Sequence, residues 1–111
     1  MAIRRGSTPI LTITAENIDM RDCTVYVTLK QEGIVQITKR TDTNGAVWVE
    51  YEEPNTIINM TLSQADTLTL KPGRTLVQLR WIEEDGTAHV SDIKRFEISK
   101  TLLEGVIAYA G

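Results

Sequence analysis

Apolar and polar residues alternate along most of this 111-residue chain, and the alternating runs are rich in Thr, Val and Ile. In PILTIT (residues 9–14), Leu11 and Ile13 fall on one face and the threonines on the other. Because successive side chains of a strand point to opposite faces, and β-branched residues favour strands, this period of two predicts half-buried β-strands. The inward-facing positions predicted in this way are Leu11, Ile13, Val25, Val27, Leu29, Val35, Ile37, Val47, Val49, Tyr51, Ile58, Met60, Leu62, Val77, Leu79 and Trp81.

Turn-forming residues separate the runs at intervals of roughly 8 to 12 residues, a spacing typical of small β-sandwiches and barrels. Asn44 and Gly45 give the strongest of these signals, since both residues tolerate positive φ at low cost. Further turns are expected at residues 31–33 (QEG), 52–55 (EEPN), 71–73 (KPG) and 85–86 (DG). The polar segment at residues 15–22 is expected to be a loop that packs only lightly on the core, through Ile18 and Met20.

One segment departs from the alternation. Ser63 can cap a single helical turn that includes Asp66, after which Leu68 and Leu70 are expected to return to extended structure. A change of phase near Ser91 indicates a β-bulge in the last hairpin. With about seven or eight short strands, the chain is predicted to be all-β. The expected fold is a single antiparallel β-sandwich of Ig-like architecture, or a Greek-key barrel, with at most one helical turn.

The length of the chain predicts a single domain. We divide it into an N-terminal contact segment at residues 1–8, a β-sandwich domain at residues 9–101 that starts with the first strand, and a closing strand or docking tail at residues 102–111. In the first segment, Arg4 and Arg5 can meet carboxylates on a neighbouring subunit. A frayed, solvated terminus is the alternative.

Twelve Lys and Arg against fifteen Asp and Glu give a formal net charge of −3 and a pI near 5.1. This balance provides no overall basic field to hold nucleic acid or an anionic membrane. Basic residues do occur in adjacent pairs, so a small single-stranded nucleic-acid-binding barrel stays open as an alternative. The start lacks a signal-peptide apolar region, and no apolar run approaches bilayer length, so a protein made and folded in a cytoplasm is expected.

The chain offers few groups for catalysis or metal binding: one histidine, His89, and one cysteine, Cys23. His89 lies near Ser91 and Asp92, but on a regular strand Asp92 points to the opposite face from the other two, which disfavours a catalytic triad. One cysteine and one histidine are too few for a structural zinc site. We therefore expect no enzyme activity, no catalytic residue, no cofactor and no metal, and we expect Cys23 to be a structural or incidental cysteine.

A binding or structural module is what this composition favours. Trp48 points away from Val47 and Val49 on a regular strand, so it is either an interface residue or the core of a sandwich covered on both faces. Edge strands and termini provide further contacts. The candidate interface residues are Arg4, Arg5, Trp48, Leu102, Leu103, Val106, Ile107 and Tyr109.

Three stretches carry a family resemblance: RRGSTPILTIT at the start, LSQADTLTLKPGRTLVQLRW in the middle and DGTAHVSDIKRFEISKTLLEGVI at the end. They resemble short proteins encoded in the structural regions of phages and prophages of Firmicutes, which are in turn similar to the N-terminal domain of phage baseplate upper proteins. The matching elements are Arg5–Pro9, Leu62–Leu68, Gln78–Arg80, Ser91 with Asp92, and Leu102–Ile107. Ser7 replaces a threonine and Ala65 an acidic residue of the pattern, and the long C-terminal extension of a baseplate upper protein does not follow.

The resemblance implies a non-enzymatic virion component, made in the cytoplasm of a bacterial host and assembled in many copies. Its expected partners are other phage structural proteins and copies of itself, with no small-molecule substrate and no membrane, and the net negative charge disfavours nucleic acid. A tail or baseplate accessory protein is the first expectation, and a decoration (cement) protein on the capsid of the phage head is the second.

Overall fold

The structure is a computed structural model, and it describes residues 2–4, 6–31, 36–41 and 45–99, with the backbone alone for residues 2, 36 and 95–99. Nine strands and one short helix follow one another in these residues. They are β1 (Ala2–Arg4), β2 (Ile10–Ala15), β3 (Thr24–Lys30), β4 (Gln36–Arg40), β5 (Val47–Glu52), β6 (Asn55–Thr61), α1 (Gln64–Thr69), β7 (Gly73–Ile82), β8 (Ala88–Val90) and β9 (Lys94–Ser99).

The strands form two sheets. The larger sheet has the order β1-β9-β7-β3-β4, with β8 also paired to β7, and the smaller sheet has the order β2-β6-β5. Neighbouring strands are antiparallel, except that β1 runs parallel to β9. In the lettering of immunoglobulin variable-type domains, β2, β6 and β5 take the places of strands B, E and D, and β9, β7, β3 and β4 those of G, F, C and C′. The predicted β-sandwich of Ig-like architecture is thereby confirmed. The alternative, a Greek-key barrel, is wrong, because the strands form two separate sheets.

The core lies between the two sheets and uses the alternation seen in the sequence. Every second residue of β2 and β3 is buried, as the period of two predicts. The buried apolar residues are Ile3, Leu11, Ile13, Met20, Val25, Val27, Leu29, Val47, Ile58, Met60, Leu62, Leu70, Val77 and Leu79. Ile37, Val49 and Trp81 pack against them while partly buried. Burial of this apolar surface is the main term that holds the sheets together.

The first strand begins earlier than the sequence indicated. It is β1 rather than the run that starts at residue 9, and its central residue, Ile3, belongs to the core. The turn after β1 is fixed by α1, because Gly6 N donates to Thr67 Oγ1 (3.0 Å) and Thr67 Oγ1 donates to Ser7 O (2.9 Å). Part of the predicted contact segment is therefore an integral strand, while Arg4 at its end is exposed.

Helix α1 starts where the sequence predicts and continues further. Asp66 N donates to Ser63 Oγ (3.0 Å) and Ser63 N donates to Asp66 Oδ2 (2.9 Å), which is a capping box. The expectation that Leu68 is extended was wrong, since the helix runs on to Thr69. The reason is tertiary: the fully buried Thr67 is held in the second turn by its bonds to the N-terminal segment.

Of two predicted turns, the one at Gly45 forms and the one at Gln31 does not begin where expected. Asn44 lies outside the described residues, but Gly45 has φ of 67°, and the chain here passes from the larger sheet at β4 to the smaller sheet at β5. Gln31, expected in a tight turn, is buried instead, and its side chain bonds to Lys71 just before β7 and to Thr75 within β7. The rest of the QEG turn lies outside the described residues.

A partly buried ion pair joins the larger sheet to α1. Lys39 Nζ lies 2.6 Å from Asp66 Oδ2 and also donates to Thr61 O (3.1 Å). Burial opposes ionisation of Asp66, but the hydrogen bonds from Lys39 and Ser63 outweigh it and lower the pKa of this carboxyl. The pair stabilises the fold above the ordinary pKa of an aspartate, and this contribution disappears as the pH falls through the lowered pKa.

We therefore expect Asp66→Asn to lower the free energy of unfolding by about 1–2 kcal/mol at pH 7, since charge-assisted hydrogen bonds are lost. The difference from the unsubstituted protein should shrink as the pH falls below about 4, where the carboxyl of the unfolded chain becomes protonated, and should vanish below the lowered pKa of the native carboxyl. Urea unfolding at a series of pH values measures it, with Asp92→Asn, at an exposed position, as the control. A difference that stays constant down to pH 2 would contradict the assignment.

Candidate interaction site

The outer edge of β2 carries backbone groups that point away from its sheet. Leu62 N donates to Pro9 O (3.1 Å), and the β2–β6 register continues this pairing. In an antiparallel pair the hydrogen-bonded positions recur at every second residue. The N–H and C=O groups of Ile10, Thr12 and Thr14 therefore face away from β6. In the part of the chain that the structure describes, no strand pairs with this edge.

An apolar cleft of about 410 Å³ opens beside the second half of this edge, between the two sheets. Its apolar walls are formed by Ile13, Ala15, Ile18, Val77, Leu79 and Trp81. Exposed polar residues, among them Glu16, Asp92 and Lys94, lie around its mouth. We call the outer edge of β2 together with this cleft the β2 seam.

The connection between β8 and β9 forms one wall of the β2 seam. Residues 91–93 stand opposite only Gln78 and Leu79 of β7, so one residue is extra, and the predicted change of phase is confirmed. Leu79 N donates to Ser91 Oγ (2.9 Å), and Ser91 N donates to Leu79 O (2.9 Å). The cleft persists because β1 pairs only with Glu97–Ser99 of β9, which leaves the first half of β9 without a described neighbour on that side.

The loop between β2 and β3 forms the opposite wall, and a buried threonine positions it. Met20 N donates to Thr56 Oγ1 (3.1 Å), and Thr56 Oγ1 donates to Ile18 O (2.6 Å). Asn17 has φ of 59°, and its N–H donates to Asn55 Oδ1 (3.1 Å). The expectation of light packing was wrong for Met20, which is fully buried.

Exposed apolar side chains lie on the elements that form the seam. Ile10 in β2 is 55% exposed, and Ile93 in the β8–β9 connection is 56% exposed. Val90 in β8 and Ile82 in β7 are exposed as well, at 57% and 39%, so the edge that no described strand pairs with and the apolar cleft are the features that single out this surface as one that another chain covers. The β2 seam is therefore the candidate functional site.

The groups that the sequence offered for catalysis make structural contacts instead. The ring of His89 stacks on Trp81 with centroids 5.2 Å apart, and its Nε2 lies 2.9 Å from Glu83 Oε2. Ser91 accepts from Leu79 N and donates to Asp92 O (2.9 Å). The hydroxyl of Ser91 is thus hydrogen-bonded to two backbone groups. Within residues 2–4, 6–31, 36–41 and 45–99, no three His, Cys, Asp or Glu side chains are grouped so as to hold a metal.

The thiol of Cys23 is held in its protonated form. Burial raises its pKa, and the nearby carboxylates of Glu83, Asp22, Asp19 and Asp85 raise it further. The thiolate is the reactive species, so this cysteine is a poor nucleophile near neutral pH.

We expect Cys23 to react with iodoacetamide at pH 7.5 at least about tenfold more slowly than a cysteine in an unstructured peptide. Unfolding the protein in urea should restore the peptide rate, and Glu83→Gln should raise the native rate modestly by removing one negative charge. Labelling followed by mass spectrometry measures these rates. A native rate equal to that of the peptide would overturn the structural reading of this thiol.

Trp48 lies on the outer face of the smaller sheet. It pairs with Asn59 of β6, which pairs in turn with Thr12, and these three side chains share that face. Trp48 is half-buried there, and Thr12 Oγ1 donates to Asn59 Oδ1 (3.1 Å). The Nδ2 atom of Asn59 is buried without a hydrogen-bond partner. Trp48 is thus not a residue of the core between the sheets.

The other predicted interface residues are placed only in part. Arg4 ends β1 and is exposed, and it is not among the residues of the β2 seam. The remaining candidates, Arg5, Leu102, Leu103, Val106, Ile107 and Tyr109, lie outside the described residues. Sequence reasoning did not identify the β2 seam, because an edge is defined by strand order, which the alternation of a single strand does not encode.

Comparison with known proteins adds little to this description. No family model matches the chain, and no curated protein matches it. The V domain of amphioxus IgVJ-C2 is a similar solved structure; the match covers 88% of this chain and 98% of that domain, with 9% identity and a TM-score of 0.28. The Ig-like assignment rests on the strand order given above. No described helix is long and apolar enough to cross a bilayer.

Proposed function

We propose that this protein is a non-enzymatic structural component of a bacteriophage virion, and that it acts through protein–protein contacts as a tail or baseplate accessory. It is made in the cytoplasm of the bacterial host and joins other phage structural proteins and copies of itself. The sequence resemblance to phage structural-region proteins suggests this role.

The observation that carries the proposal is the β2 seam. It combines a strand edge that no described strand pairs with and an apolar cleft of about 410 Å³ beside it. Backbone pairing at such an edge supplies affinity, and side-chain pockets beside it supply specificity. An edge and a cleft of this kind are suited to a domain that functions by binding other protein chains.

The fold alone does not separate a tail accessory from a capsid decoration protein, since sandwich domains serve many unrelated functions. The tail or baseplate is proposed because the sequence elements resemble those of the N-terminal domain of baseplate upper proteins. The alternative proposal is a decoration protein on the phage head.

Particle imaging tests the proposal. Virions from an induced lysogen or a phage stock that encodes this protein are labelled with gold-conjugated antibody raised against it, and particles with the gene deleted serve as the control. Label at the tail tip is expected. Label over the head would move the assignment to a decoration protein, and the absence of label from intact particles would remove the virion role.

A further inference from the structure

We propose that the β2 seam receives residues 100–111 of a second copy of this chain as an added antiparallel strand, so that copies join head to tail. This inference rests on the proposed assembly function and names the partner of its site. The occupant is one segment of a like chain, and it binds by adding a strand to the edge of the smaller sheet.

The described residues form a complete acceptor for such a strand. Ile10, Thr12 and Thr14 present their backbone N–H and C=O groups along the edge. A strand added there lies about 4.8 Å from β2, and its alternate side chains point between the sheets. Those side chains would enter the apolar cleft, whose volume of about 410 Å³ is within the range of ligand-sized pockets.

The sequence of the last twelve residues, KTLLEGVIAYAG, suits this site. Alternate positions carry Leu103, Ile107 and Tyr109 on one face and Leu102 and Val106 on the other, so either register delivers apolar side chains to the cleft. After the lysine, the segment contains a single charged side chain, a glutamate. This composition matches the apolar walls of the cleft.

The geometry of β9 favours donation to a neighbouring copy over closure onto the same copy. Its last residue, Ser99, pairs with Arg4, whereas the cleft borders Lys94 at the other end of β9. Five residues of strand separate these ends by roughly 17 Å. Ser99, the last described residue, therefore lies at the end of β9 away from the cleft of its own copy.

The direction of β2 gives the orientation of the added strand. Ser7 N donates to Arg4 O (3.2 Å), so the chain turns after β1, and β2 then starts at Ile10 near the end where β9 finishes. Its last residue, Ala15, lies at the cleft. β2 thus runs opposite to β9, and a chain that continues along β9 into the next copy meets β2 antiparallel. Such a contact is heterologous, so repeated copies form a ring or a filament.

A mixing experiment on the full chain tests the inference. The seam variant Thr14→Pro removes an outward-facing N–H, which an edge position tolerates, and Thr14→Val is its matched control. The tail variant carries Ile107→Asp and Tyr109→Asp, with Glu104→Gln as its control. Sedimentation over a range of concentrations measures association, and circular dichroism verifies that each variant is folded. If Thr14→Pro does not fold, Ala15→Phe, which fills the cleft, takes its place.

The unsubstituted chain and both controls should associate as concentration rises. Each variant alone should associate more than about tenfold more weakly, and an equimolar mixture of the two variants should form a one-to-one dimer that grows no further. That dimer is specific to donation from tail to seam, since one intact seam and one intact tail remain in it.

Two other results would overturn the inference. A chain that is monomeric at every concentration, with the Thr14 amide protected from exchange until the tail is substituted, would show that the segment docks on its own copy. A monomer in which the Thr14 amide exchanges at the same rate with and without the tail substitutions would show that the C-terminal segment does not bind the β2 seam. Another protein would then be its partner. Either result is compatible with gold label on the virion, so failure here is separate from failure of the proposed function.

Discussion

Thr56→Val is expected to lower the free energy of unfolding by about 2–4 kcal/mol, although it hardly changes the volume of the side chain. The hydroxyl of the fully buried Thr56 donates to Ile18 O (2.6 Å) and accepts from Met20 N (3.1 Å). Valine leaves both backbone groups without a partner, and an unsatisfied buried polar group costs roughly 1–3 kcal/mol. Urea unfolding monitored by tryptophan fluorescence measures the change.

Two further variants separate this effect from others. Thr56→Ser keeps the hydroxyl and loses one methyl group, so it should cost only about 1 kcal/mol. Thr14→Val, at an exposed position of β2, should stay within about 0.5 kcal/mol of the unsubstituted protein. A Thr56→Val protein as stable as Thr56→Ser would show that the loop between β2 and β3 is not held by this hydroxyl.

Gln31→Leu is expected to cost a similar amount, about 2–4 kcal/mol. The buried amide of Gln31 donates to Lys71 O (2.7 Å) and Thr75 Oγ1 (3.2 Å), and its Oε1 accepts from Lys71 N (2.8 Å). Leucine fills the space but leaves these three groups to compete for other partners, and Thr75 is fully buried. The entry of the chain into β7 would loosen as a result.

Gln78→Leu is the matched control for this prediction. Gln78 is half-buried, and its amide donates to Ser91 O (3.0 Å), so its replacement should cost at most about 1 kcal/mol. Thermal unfolding of the three proteins gives the ranking. Equal losses for Gln31→Leu and Gln78→Leu would contradict the role assigned to the Gln31 amide.

The parts of the fold that sequence could predict are those governed by local periodicity. The alternation at Leu11 and Ile13, or at Val25 and Val27, follows directly from strand geometry, and the structure places these side chains in the core. The capping signal at Ser63 likewise acts within one helical turn. Such features need no knowledge of the rest of the chain.

The features that sequence could not predict depend on contacts between distant segments. Gln31 looks like a turn residue until Lys71 and Thr75 are brought beside it, 40 or more positions along the chain. The burial of Met20 depends in the same way on Thr56. Polar residues of this kind are buried only because partners satisfy them, and those partners are set by tertiary structure.

The candidate site belongs to the second group. The alternating pattern showed that β2 is a half-buried strand, but its position at the edge of a three-stranded sheet follows from the pairing of β6 with both β2 and β5. The cleft requires in addition that β1 covers only the last part of β9. Long-range pairings decide both, so residues near Thr12 and Thr14 carried no local signal of a site.

Hydrogen exchange along β2 tests the β2 seam most directly. NMR on the dilute, isolated protein reads each amide, and mass spectrometry of peptides over residues 10–15 reads the same strand in assembled particles. Fast exchange at Thr12 and Thr14, slow exchange at Leu11 and Ile13, and protection of the whole strand in particles are the expected results. Equal exchange at all four amides in the isolated protein, or a strand no better protected in the particle, would contradict the assignment of this edge as the interaction site.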